Sequence, residues 1–228
     1  MDFIFMLTRA DATVGDAPQI LDSAIDSGVL HIGFKDVGVP LSELGPVVSR
    51  IRECGGVSYL EVVSTTQEAT IRSLQAGVAL GVDRILGGTD IAAAQRILGD
   101  LSRYFPFPGR PVGHPTRLQG DAGCIESDVR DACARGCGGV DLLAYRATDA
   151  DPLELVRAAR RASAGRRLIV AGSVHTVEQI HALASAGVDA FTVGSAVFEG
   201  SFSPTKGSLR GQIDAVLAAC ATAPRMAA

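Results

Sequence analysis

Short runs of β-branched, aromatic and aliphatic residues recur along the chain. They read FIFML (3–7), LHIGF (30–34), SYLEVV (58–63), DRILGG (83–88), RYFPF (103–107), GVDLLAY (139–145), RLIVAG (167–172) and DAFTVG (189–194). Between most of them lie Ala-, Leu- and Arg-rich segments whose apolar residues repeat at three- and four-residue spacing. Examples are APQILDSAIDSGV (17–29), TQEATIRSLQAGVALGV (66–82) and TVEQIHALASAGV (176–188). The first pattern has the length and composition of buried strands. The second has the period of amphipathic helices, each ending near a Gly that can stop it. Strands that alternate with helices pair in parallel through right-handed crossovers, and eight such units predict a (β/α)8 barrel. A doubly wound open sheet is the alternative. It would more naturally carry a GxGxxG turn after its first strand, where this chain reads TRADATVG (8–15).

No linker, low-complexity tract or shift in composition divides the sequence, so residues 1–228 are expected to form one barrel domain. One segment breaks the rhythm: PFPGRPVGHPTRLQGDAGC (106–124) is rich in Pro and Gly and too long for a plain turn. It follows the fifth strand, which in a barrel puts it on the face where active sites form.

Composition works mainly by exclusion. A net charge of −4 gives no basic excess, so nucleic acid is not an expected partner. No apolar run approaches the roughly 20 residues of a membrane span. The opening MDFIFMLTRAD, with an acidic second residue and a short apolar stretch, does not read as a signal peptide. Cys54, Cys124, Cys133, Cys137 and Cys220 lack paired CxxC spacing and are expected to be buried thiols in a reducing, cytoplasmic setting. His31, His114, His175 and His181 show no metal-binding spacing, so neither a metal nor another cofactor is expected. Barrels of this kind often self-associate, which leaves a homo-oligomer open.

The last two strands end in VAGSVHT (170–176) and TVGSAVFEG (192–200), each with Gly-Ser just before a helical segment. Glycine lets a ligand approach the backbone, free N–H groups at a helix start favour an anion, and the loops after strands seven and eight of a barrel commonly hold phosphate. Gly172, Ser173, Val174, Gly194 and Ser195 are therefore the expected phosphate contacts, the alternative being that the glycines only permit tight turns. A bulky residue at position 194 is expected to abolish such binding with the fold intact.

At this point a resemblance enters. LIVAGSVHTVEQIHALASAGVDAFTVGSAVFEG (168–200) resembles the closing quarter of the ribulose-phosphate-binding barrels, a group of phosphosugar isomerases, epimerases, decarboxylases and small keto-acid aldolases. The resemblance implies a phosphorylated, sugar-like substrate. A fainter one runs through LTRADATVGDAPQILDSAIDSGVLHIGFKDV (7–37) and RYFPFPG (103–109), which are similar to 2-keto-3-deoxy-6-phosphogluconate aldolases. Where that family carries its Schiff-base lysine this chain has Arg103, which cannot form an imine, and the acidic residue usual on the second strand is replaced by Gly33 or Lys35.

Lysine is rare here: of 21 basic residues only Lys35 and Lys206 are lysines. Lys35 shares a strand face with His31 and Gly33, while Ile32 and Phe34 take the apolar face that packs on helices. Lys35 is thus expected to point into the barrel at its catalytic end. The same parity points Glu61 inward beside it. Such a pair is either a structural ion pair or the machinery that polarises and deprotonates a carbon next to a carbonyl. His114 is a candidate general acid or base, and Asp11 is either a catalytic group or the cap of the first helix. Arg9, Thr89 and Tyr145 follow strands one, four and six and are candidate substrate contacts, Arg9 through a paired grip on a carboxylate or second phosphate. Asp90, Thr65 and Thr66 read as helix caps, and Arg146 either covers the substrate or decorates the rim. The expected function is an enzyme acting on a small phosphorylated sugar or keto acid through an enolate or imine, as an aldolase- or decarboxylase-like lyase of carbohydrate metabolism. A phosphosugar isomerase or epimerase, and a barrel that binds a phosphorylated ligand without turning it over, are the alternatives.

Overall fold

A computed structural model describes residues 1–113 and 115–224. Eight parallel strands form the barrel: β1 (Asp2–Met6), β2 (His31–Lys35), β3 (Val57–Val62), β4 (Arg84–Gly87), β5 (Tyr104–Phe105), β6 (Gly139–Leu142), β7 (Arg167–Val170) and β8 (Ala190–Val193). Each lies beside its sequence neighbour, and β8 returns to β1. The seam between β5 and β6 closes through Gly138 N–H to Tyr104 O (3.1 Å) and Asp141 N–H to Pro106 O (3.0 Å). This closure rules out the open-sheet alternative. β5 is shorter than its apolar run predicts, because Pro106 and Pro108 have no N–H to give to a ladder.

Helices cover the strands: α1 (Ala17–Asp26), α2 (Gly45–Glu53), α3 (Gln67–Leu80), α4 (Ile91–Leu98), α5 (Ala122–Ala134), α6 (Pro152–Ala162), α7 (Val177–Ser185), a short α8 (Ser195–Phe198) and α9 (Leu209–Thr222). Several begin where side chains can satisfy free backbone donors. Thr66 and Asp90 cap α3 and α4, accepting from the N–H groups of Ala69 (3.3 Å) and Ala93 (2.8 Å), and Thr176 with Gln179 forms a capping box on α7. Asp11 caps nothing: α1 starts after Asp16, which itself makes no side-chain cap.

Strand parity sorts the core in two. Outward-facing Phe5, Ile32, Phe34, Leu60 and Leu168 pack against the helices. Inside the barrel, Ile4, Met6, Leu86, Phe105, Ile169 and Ala190 form an apolar plug with Tyr59. Gly33 is needed for that plug: a Cβ there would lie 2.4 Å from Met6 Sδ. Below the plug, at the N-terminal mouth, the Tyr59 hydroxyl meets His31 Nδ1 (2.9 Å) and accepts from Arg84 Nη1 (2.8 Å). His31 and Arg167 there both pair with Asp2. His31 therefore belongs to the end of the barrel opposite the catalytic one. Above the plug lies a third, charged layer.

The 106–124 segment is structured. Arg110–Val112 and Arg117–Gln119 pair as an antiparallel hairpin. It is tied down by Thr148 N–H to Leu118 O (3.0 Å), and its Thr116 reaches Asp11 at the barrel mouth. No helix among the described residues is long and apolar enough to cross a membrane.

Candidate active site

The charged layer is assembled from four strand ends. After β1 the chain makes a tight antiparallel hairpin, with Thr8 opposite Thr13 and Arg9 opposite Ala12. Its two turn residues, Ala10 (φ 47°) and Asp11 (φ 65°), are both left-handed, as a two-residue hairpin turn of this hand requires. Thr13 fastens the hairpin to the end of β2: its hydroxyl accepts from Lys35 N–H (2.8 Å) and donates to Lys35 O (2.9 Å). The result aims the Asp11 carboxylate down into the barrel mouth, where Lys35 Nζ meets it and lies 3.6 Å from Glu61 Oε2. Lys35 and Glu61 face each other in register on β2 and β3 and are 5% and 3% exposed.

Arg146, on the short turn of helix after β6, grips Asp11 from the other side. Its Nη1 and Nη2 donate to the two carboxylate oxygens at 2.9 and 2.8 Å, and Nη1 also donates to Thr116 O at 3.1 Å. Thr116 N–H in turn points to Asp11 Oδ2 at 3.4 Å, so the hairpin over the mouth is latched to the same carboxylate. Beneath them sits Asp141 of β6, wholly buried, with no hydrogen-bond partner for either oxygen among the described residues.

These surroundings push the carboxyls apart. Burial works against ionised Asp11, but hydrogen bonds from Arg146 and the charge of Lys35 overcome it and hold Asp11 well below the usual carboxylate range. Burial also works against the Arg146 cation, and its bonds to Asp11 outweigh that and strengthen it. Glu61 goes the other way, raised chiefly by burial despite Lys35. Asp141 is raised well above its ordinary value, by burial first and then by the like charge of Glu61.

A cavity of about 460 Å³ opens above this layer. Its floor carries Lys35, Glu61, Asp11 and Arg146, and its wall is formed by the turns Gly172–Val174 and Gly194–Ala196. Among the described residues, the backbone N–H groups of Ser173, Val174, Ser195 and Ala196 find no protein acceptor. Both turn glycines have steric reasons as well. Gly172 is left-handed (φ 77°) and a Cβ on it would lie 2.2 Å from Arg146 Nε. A Cβ on Gly194 would lie 2.4 Å from Thr8 Oγ1 and 2.9 Å from Thr8 O. A bulky residue at 194 would therefore press on the first hairpin, and the expectation that the fold would stay intact is corrected.

Of the residues singled out in the sequence, Lys35, Glu61, Asp11, Gly172, Ser173, Val174, Gly194 and Ser195 share this cavity. Three others do not line it. Arg9 is exposed and its guanidinium lies over the Phe198 ring, 5.3 Å from the centroid. Thr89 is exposed and borders a separate hollow of about 130 Å³. Tyr145 packs against the outer core. His114 lies outside the described residues. Arg103 stands just before β5, away from the cavity. Arg146, read from the sequence as either covering the substrate or decorating the rim, lines the cavity. The structure adds Thr192 and His175, the last with Nδ1 against Ser173 O at 2.8 Å, while Asp141 is buried and does not line it. Among the described residues, no group of three or more His, Cys, Asp or Glu side chains is disposed to hold a metal ion.

No family model matches the sequence, and no curated protein sequence matches it. Solved structures do match. Orotidine 5′-phosphate decarboxylase from Pyrococcus horikoshii aligns with a TM-score of 0.64 at 14% identity, over 96% of this chain and 99% of that one. Native KDPGal aligns with a TM-score of 0.64 at 14% identity, over 96% and 94%. The (S)-3-O-geranylgeranylglyceryl phosphate synthase of Thermoplasma acidophilum, in complex with sn-glycerol-1-phosphate, aligns with a TM-score of 0.61 at 14% identity, over 96% and 95%. The fold is a (β/α)8 barrel. These neighbours belong to the ribulose-phosphate-binding barrels that the closing quarter of the sequence resembles, and at this identity the likeness is one of fold.

Proposed function

We propose that this chain is an enzyme acting on a small phosphorylated sugar or keto acid, through an enolate formed next to the substrate carbonyl. The observation that carries the reading is a single cavity with two unlike ends. One end offers unpaired backbone N–H groups on the Gly172–Val174 and Gly194–Ala196 turns, and the other offers Lys35 beside Glu61. A phosphate on the first end leaves the carbon chain to reach the second, where charge developing on a carbonyl oxygen is stabilised by a fixed cation. Lys35 is salt-bridged to two carboxylates, so it serves this purpose as a cation. That favours an enolate over an imine, and with it a decarboxylase- or aldolase-like lyase whose chemistry needs no Schiff base. The named structural neighbours include an orotidine 5′-phosphate decarboxylase and a synthase in complex with sn-glycerol-1-phosphate, which supports a phosphorylated substrate.

The test is proton exchange. The protein is incubated in D2O with a panel of phosphorylated ketoses and phosphorylated 2-keto acids and followed by 1H NMR. Loss of signal from the carbon next to the carbonyl, with or without cleavage, is expected for at least one compound and is absent in Lys35→Met. Saturable binding with neither exchange nor turnover would instead make the chain a non-catalytic binder. No binding of any phosphorylated compound would remove the phosphate reading altogether.

A further inference from the structure

The charged layer contains more carboxylates than its cations can balance. β6 reads GVDL, and its alternation sends Val140 and Leu142 outward to the helices and Asp141 inward. Asp141 is fully buried and its two oxygens meet no donor among the described residues. Both cations of the layer are engaged elsewhere: Arg146 is bidentate to Asp11, and Lys35 bridges Asp11 and Glu61. Asp36, at the end of β2, also acts on Glu61. Its carboxylate is already taken up by the Val63 N–H (2.9 Å) and by the hydroxyls of Ser64 (2.6 Å) and Ser73 (2.7 Å). Inside the barrel this leaves Asp11, Glu61 and Asp141 against Lys35 and Arg146. A buried carboxyl with no cation to balance it takes up a proton instead of holding its charge.

We infer that Glu61 and Asp141 hold one proton between them at neutral pH, so that Glu61 meets the cavity as a proton donor beside Lys35. Asp141 is the positioning residue that keeps the proton there. Burial raises both groups, and like charge adds to it, that of Glu61 at Asp141 and those of Asp11 and Asp36 at Glu61. The proton store itself does not depend on the substrate, whereas its use as a donor rests on the proposed enolate chemistry. In that use, the electron pair of the enolate forms the new C–H bond while the Glu61 O–H bond breaks. Both carboxylates are then ionised until solvent or the reverse transfer returns the proton.

Infrared difference spectroscopy on the substrate-free protein tests this directly. The carbonyl stretch of one protonated carboxyl, shifting in D2O, is expected in the folded wild type at pH 7. It should vanish in Glu61→Gln and equally in Asp141→Asn, because removing either carboxylate leaves the other balanced by the cations. Asp141→Leu, with the same number of side-chain heavy atoms, should lose the band as well. A band that survives in Glu61→Gln would mean that Asp141 is protonated by burial alone, and the sharing is overturned. A folded wild type with no such band overturns it without recourse to any variant. Because the measurement uses no ligand, its failure is separate from a failure to find a substrate.

Discussion

Lys35→Met removes the cation that, among the described residues, contacts both Asp11 and Glu61, while keeping much of the apolar stem. Asp11 would keep its two bonds from Arg146 at 2.9 and 2.8 Å, but Glu61 would lose the ammonium 3.6 Å away and stay 3% exposed. Stripping one partner from a buried pair typically costs about 3–5 kcal/mol when the other is left charged. Asp11 keeps Arg146, and Glu61 shares a proton with Asp141, which argues for the lower end, about 3 kcal/mol. For a chain of this size that lowers Tm by about 6–12 °C at neutral pH. The sign of the pH dependence follows from Glu61, whose carboxyl is raised in the fold and would be raised further without Lys35. A carboxyl raised in this way stabilises the fold below its unfolded value and loses that contribution as pH rises through the folded value. The deficit of Lys35→Met should therefore shrink when melts run at pH 7 are repeated near pH 5. It should also shrink in the double variant Lys35→Met/Glu61→Gln, since the two sites are in contact and couple. A melting temperature equal to wild type at pH 7, or a deficit unchanged by acid, would refute the reasoning.

Three other outcomes follow from the same geometry. Arg146→Lys keeps the charge but cannot span both Asp11 oxygens and Thr116 O. It should release the hairpin tip, seen as faster amide hydrogen exchange at Thr116 and Leu118, with a loss of about 1–3 kcal/mol in urea unfolding. Gly172→Ala puts a Cβ where Arg146 Nε now lies and forces a left-handed alanine. Calorimetry should show inorganic phosphate binding at least about 10-fold more weakly, an energy of roughly 1.4 kcal/mol. Asp11 titrates lower in the fold than in the unfolded chain, so the stability it lends is fully present above about pH 4 and is lost as pH falls further. Asp11→Asn should be less stable than wild type at pH 7, and the gap should close on acidification.

Strand parity made much of the site readable. The alternation in HIGFK and VSYLEV is enough to turn Lys35 and Glu61 toward each other, and the register confirms them as direct neighbours. The same alternation in GVDL turns Asp141 inward, but its apolar neighbours suit a plain buried strand and do not mark it as a site residue. Loops were less legible. A side chain after a strand end is on the right face of a barrel, but its direction depends on turns that the strand period does not specify. Arg9 and Asp11 are two residues apart, and the left-handed turn at Ala10 and Asp11 sends one out to Phe198 and the other into the mouth. No glycine or Asn-Gly pair announced that turn. Arg146 reaches Asp11 across 135 positions of sequence, a distance over which no local pattern speaks. The 106–124 segment showed its Pro and Gly but not its hairpin, whose Pro111 pairs opposite Leu118 at a two-stranded edge where a missing N–H is tolerated.

The central claim is that one cavity holds a phosphate at its wall and a carbonyl at its floor. A crystal structure with a bound phosphorylated ketose or 2-keto acid tests it most directly. The account predicts phosphate oxygens at hydrogen-bond distance, about 2.7–3.2 Å, from the N–H groups of Ser173, Val174, Ser195 and Ala196, with the carbonyl oxygen within the same reach of Lys35 Nζ and Glu61 beside the neighbouring carbon. A phosphate seated elsewhere, or a ligand whose carbonyl turns away from Lys35 and Glu61, would contradict it.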